Sequence, residues 1–203
     1  MIVLQENPHL AELVRNRLET HYQADEIIKG VYWEDGKGCA VGCMTESHEP
    51  YNVPLWDDLG VGLFLPRLCD VIFEGLPNDV AKEWPLRFWS AIESAKGKDL
   101  GLIHWKFLHW ILDAQLKEFH HHEIVGKVIT DVCKGIMALS NGEQWLAAQA
   151  AVDAAADAAT NAATNAAYAA TNAANAATNA AHAAAYAAAY KRQADKLIEL
   201  IEA

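Results

Sequence analysis

The sequence predicts a mainly α-helical protein: a compact helical head with one small β-hairpin, then a long alanine-rich helix. Apolar residues recur at helical spacing through most of the first 140 residues, as in Leu10, Leu13, Val14 and Leu18. Only one stretch, residues 31–43, reads as two β-favouring runs around an Asp-Gly turn. Residues 147–190 hold neither Gly nor Pro and repeat one polar or aromatic residue followed by two or three alanines. The division that follows is a globular head over residues 1–140 and an alanine-rich helix over residues 143–203, expected to be an oligomerisation element.

Asn7-Pro8 starts the first helix, with Asn at the N-cap and Pro at the first helical position, and the helix extends to about residue 20. A shorter helical piece over 24–29 ends at Gly30. In the hairpin, Val31, Tyr32, Trp33 and Glu34 form one run, and Cys39, Ala40, Val41, Gly42 and Cys43 form the other. An isolated hairpin is marginal in water, so it must lie on helices. Residues 44–58 are loop-like. Helical character returns at Phe64 with Pro66 in the first turn, and Leu68, Cys69, Ile72, Phe73 and Leu76 form the buried face. Gly75 and Pro77 stop that helix, Asn78 caps a short one, and Pro85 starts another through Ile92. Residues 103 to about 118 are apolar on nearly every face and are expected to form the central, most buried helix. Ile124, Val125, Val128, Ile129, Val132, Cys133, Ile136 and Met137 mark one more amphipathic helix, and Ser140-Asn141-Gly142 is a break.

In the tail the non-alanine positions fall at spacings of mostly 4-3-4, an eleven-residue repeat with about 3.67 residues per turn. A continuous helix of roughly 60 residues spans about 90 Å. Alanine favours the helix, yet a monomer would leave a long, weakly apolar face in water. A homo-oligomer through this helix is therefore expected, with Tyr168, Tyr186, Tyr190, Leu197 and Ile201 as its contact residues.

The formal net charge is -11, from 16 Lys+Arg against 27 Asp+Glu, which opposes broad nucleic-acid or anionic-membrane binding. The tail is too weakly hydrophobic for a membrane span. Four cysteines, at 39, 43, 69 and 133, do not make a secreted disulfide framework, and the N-terminus has no signal-peptide pattern. A cytoplasmic location with buried free thiols is expected.

Cys39 and Cys43 with His48 invite a zinc reading. On a strand the two thiols would lie about 13 Å apart, too far to share an ion, whereas a helical turn would revive the idea. His120, His121, His122 and Glu123 read as a polar interhelical loop, and His104 and His109 as core histidines among aromatics. Arg67, Asp70 and Glu74 share a helix face and read as exposed and salt-bridged. No phosphate loop, nucleophile elbow or zincin motif is present. No cofactor and no metal are expected. Thr160 and Thr171, with Asn161 and Asn172, look like the surface of alanine-rich helical antifreeze proteins, but Asp153, Asp157, Tyr168, His182 and Tyr186 interrupt the same stripe.

Val31-Tyr32-Trp33, Gly38-Cys39-Ala40-Val41-Gly42-Cys43, Leu59-Gly60, the run from Arg67-Leu68-Cys69-Asp70 to Leu76-Pro77-Asn78, and Trp84-Pro85-Leu86-Arg87-Phe88 resemble segments of uncharacterised bacterial and phage proteins. Those proteins carry a similar alanine-rich tail that closes in a segment like Arg192-Gln193-Ala194-Asp195-Lys196-Leu197, with more Asp and Arg where this chain has Thr-Asn. The resemblance implies no established activity. Its phage-like character implies a counter-defence role, either blocking a host protein or sequestering a small signalling molecule.

The leading expectation is a non-enzymatic binding and assembly protein whose head uses Trp33, His48, Tyr51 and Arg67 for its ligand. An enzyme of unrecognised class at the same hairpin-side pocket is the alternative, and ice binding through the Thr/Asn/Ala helix is third.

Overall fold

A computed structural model of the chain describes residues 2–4, 7–119, 123–141 and 179–203. It is mainly helical, with one small antiparallel hairpin and a C-terminal helix. The chain forms two compact units. The first joins Met1–Gly101 to Ala185–Ala203, and the second is Leu102–Ala184.

In the first unit, α1 (Pro8–Gln23) begins with Pro in its first turn, where the missing N–H costs no hydrogen bond. It runs past the expected end at about residue 20. Ala11, Val14, Leu18 and His21 turn inward, while Leu13 stays exposed. The expected helical piece over 24–29 is absent. Asp25 takes a positive φ of 58°, which reverses the chain, and Ile27 then forms a parallel bridge with Gly38.

Strands β1 (Trp33–Glu34) and β2 (Lys37–Gly38) pair antiparallel. Asp35 and Gly36 between them both have positive φ, 50° and 80°, the backbone of a tight hairpin turn with the right twist. Four paired residues cannot hold a hairpin alone. Here Ile28 N–H donates to Gly38 O at 2.8 Å and Cys39 N–H to Val31 O at 2.7 Å, tying the hairpin to its neighbours.

The expected second run of the hairpin is not a strand. Residue 39 is an N-cap, and Ala40–Thr45 form a short helix, α2, buried at every position. A six-residue apolar run has no polar phase, so periodicity alone does not separate a buried strand from a buried helix. Gly42 permits the docking, since a Cβ there would overlap the Tyr32 carbonyl oxygen.

Within the expected loop over 44–58 lies one helical turn, α3 (Leu55–Asp58). Then come α4 (Phe64–Gly75), α5 (Asn78–Ala81) and α6 (Trp84–Ser94), with Pro66 and Pro85 in first turns as expected. Trp56, Trp84 and Trp89 are fully buried in this unit. A buried indole needs an acceptor, and each finds a backbone carbonyl: Pro50 at 2.6 Å, Cys69 at 2.9 Å and Ala11 at 3.2 Å respectively.

The second unit contains α7 (Ile103–Phe119) and α8 (Glu123–Ser140), which pack on each other. Helix α7 is not the most buried element. Of its side chains described, only Ile103 and Phe107 are buried, whereas α2 of the other unit is buried at every position and α4 and α6 each bury six residues. An all-round apolar helix needs neighbours on all sides, and α8 covers one.

The last helix, α9 (Asn179–Glu202), returns the chain to the first unit, where Ala194, Leu197 and Ile201 are buried. The eleven-residue repeat, the triple histidine, Tyr168, Thr160 and Thr171 lie outside the described residues. Among the described residues no helix is long and apolar enough to cross a membrane.

Candidate functional site

Helix α4 presents Arg67 and Asp70 one turn apart, and the two differ sharply in environment. Arg67 is exposed, whereas Asp70 is 7% exposed. The expected exposed, salt-bridged face therefore does not include Asp70. The loop after α2 brings Tyr51 over this carboxylate, and Tyr51 Oη donates to Asp70 Oδ2 at 3.0 Å. The Cys39 thiol, at the N-cap of α2, faces the same carboxylate. That thiol contact is weak, because Oδ1 has no partner in full hydrogen-bond geometry.

Burial raises the Asp70 carboxyl above its ordinary range, and the bonds from Cys39 and Tyr51 oppose the rise. Burial, then the Asp70 charge, push the Tyr51 phenol and the Cys39 and Cys69 thiols upward. Burial also lifts the Cys43 thiol to about 12. None of these thiols is a thiolate near neutral pH, so the cluster offers hydrogen-bond donors rather than a sulfur nucleophile.

The outer side of Tyr51 carries a cation and a second aromatic ring. The Arg67 guanidinium lies over its ring, 5.3 Å from the centroid, in cation–π range. Tyr32 meets the same ring edge-on at 5.8 Å and is itself 47% exposed. A phenol fixed from below by a buried carboxylate thus carries an exposed guanidinium and an exposed second phenol.

Of the four residues expected to share a ligand pocket, Tyr51 and Arg67 do meet. Trp33 faces elsewhere. Its ring meets the His21 ring edge-on at 5.0 Å. His48 is exposed in the loop after α2 and joins neither cluster through a described contact.

Trp33 belongs instead to a part-buried network around the buried His21 that no sequence motif signals. His21 Nδ1 lies 2.7 Å from Glu26 and Nε2 3.3 Å from Glu46, while Arg17 pairs with Glu46 at 2.9 Å. These residues come from α1, from the chain reversal after it and from the left-handed C-cap of α2, so only the fold unites them. Asp70 did carry a signal. It lies four residues after Pro66 and three before Phe73, inside the apolar arc of α4.

Although Cys43 lies on a helix with Cys39 as its N-cap, the two thiols have separate partners. Cys43 Sγ donates to Gly38 O at 3.3 Å, while Cys39 turns to Asp70. Among the described residues no three His, Cys, Asp or Glu side chains converge as a metal would require. Of the expected oligomer contacts, Tyr186 is 64% exposed, whereas Leu197 and Ile201 are fully buried within their own chain. Comparison with protein-family models, with curated proteins and with solved structures finds no match to this chain.

Proposed function

We propose that the chain is a non-enzymatic binding protein whose recognition surface is Tyr32, Tyr51 and Arg67, and that its ligand is a small anionic molecule with a planar ring. The observation that carries this reading is the Arg67 guanidinium held over Tyr51 at 5.3 Å, with both Arg67 and Tyr32 open to solvent. Guanidinium edges recognise carboxylate or phosphate with two parallel hydrogen bonds, and phenol rings stack on planar groups. A formal net charge of -11 repels anions at long range, so affinity must come from this local contact. Asp70 lies sealed beneath Tyr51, which favours a role in holding the ring over one in chemistry. A small signalling molecule fits the sequestration role that the resemblance to bacterial and phage proteins implies.

Thermal-shift titration with nucleotides and aromatic carboxylates tests the reading. A stabilisation that saturates for the wild type and vanishes in Arg67→Ala supports it. Equal shifts in both proteins place the ligand elsewhere.

A further inference from the structure

We infer that the seat of the C-terminal helix on the first unit also accepts the same helix from a second copy, giving a reciprocal, segment-exchanged dimer. The inference stands apart from the Tyr51 platform, and either can fail without the other.

The chain contributes to the first unit twice, as Met1–Gly101 and again as Ala185–Ala203, with all of residues 102–184 between. The second contribution fits its seat in several chemically distinct ways. Ala194, Leu197 and Ile201, at i, i+3 and i+7, form one face and are buried to 2%, 0% and 0% exposure. Gly75 makes room for Tyr190, since a Cβ on Gly75 would run into the Tyr190 ring. At the rim, Arg87 Nη2 pairs with Asp195 Oδ1 at 2.9 Å, and Lys98 donates to the Glu202 carbonyl at the helix end. An amphipathic helix laid in a groove, with anchors at i, i+3 and i+7, is how separate partners recognise each other.

Every one of these contacts is made by residues 185–203 as a block, and none depends on which copy supplies them. The covalent link sets only the competition. Held through residues 102–184, the helix faces its own seat at an effective concentration of about millimolar at most. At low protein concentration the closed monomer dominates, and exchange becomes populated as the protein concentration approaches that value. A reciprocal exchange closes with two-fold symmetry, so it stops at the dimer.

The test uses two full-length variants, Arg87→Cys and Asp195→Cys. Both positions are exposed, and the four native thiols are buried. The variants are mixed, concentrated, warmed and treated with a short bismaleimide. The inference expects a covalent heterodimer whose yield rises with protein concentration and which neither variant forms alone. The chain carrying both substitutions should close internally when dilute. Internal closure of that double variant with no heterodimer from the mixture near millimolar concentration would overturn the exchange. Failure of the double variant to close would overturn the seat itself.

Discussion

Tyr51 donates to Asp70 at 3.0 Å, and the accepting carboxylate has no other partner in full hydrogen-bond geometry. This one bond joins the loop after α2 to the middle of α4 and fixes the ring on which Arg67 rests. Removing the phenolic hydroxyl leaves the buried carboxyl with only the weak Cys39 thiol contact. Tyr51→Phe should therefore cost about 1–3 kcal/mol of stability, read by urea denaturation. A loss below that range would mean that the bond contributes little to holding the loop.

The raised Asp70 carboxyl makes a signed prediction about pH. Its folded-state pKa lies above its unfolded value, so between the two the folded protein binds more protons. The Asp70 contribution to stability then falls as pH rises from the ordinary carboxylate range, about 4, through the raised folded value. Asp70→Asn lacks this slope. Its melting temperature minus that of the wild type should be larger at neutral pH than at acid pH. The opposite trend would show a carboxylate stabilised by the fold.

Gly42 and Gly30 separate two reasons for a glycine. Gly42 abuts the Tyr32 carbonyl, whereas Gly30 has open space but a φ of 83°. Gly42→Ala forces backbone apart and should cost about 1–3 kcal/mol or more, shifting Tyr32 with it. Gly30→Ala pays only for its left-handed backbone, about 1 kcal/mol. Denaturation of the two variants side by side checks the order.

Leu197→Ala and Ile201→Ala should each cost about 2–5 kcal/mol, though both lie within a few residues of the end of the sequence. Glu199→Ala, on the exposed side of the same helix, should stay within about 0.5 kcal/mol. Equal, small effects at all three positions would place the helix outside the core.

What the sequence made legible follows from where its information is local. Pro8, Pro66 and Pro85 mark helix starts because a proline is tolerated in a first turn, and Asp35-Gly36 marks the hairpin because both residues accept positive φ. Residues 39–43 read as the second strand of the hairpin, and the structure instead makes Ala40–Thr45 a helix, because an apolar run has no phase to separate the two. Asp70 looked exposed because Arg67 one turn away suggested a salt-bridged surface, and only the distant Tyr51 decides otherwise. The apolar positions of α9 were readable, but their partner was not. Arg87 and Asp195 stand 108 residues apart, and periodicity is silent about which surface a buried face meets.

The most direct measurement of the binding reading is mass spectrometry of small molecules released on denaturing purified protein, wild type beside Arg67→Ala. The account predicts an anionic compound with a planar ring released by the wild type and lost from Arg67→Ala, while the two proteins melt at nearly the same temperature once freed of ligand. Release of no such compound, or of the same amount from both proteins, would contradict it.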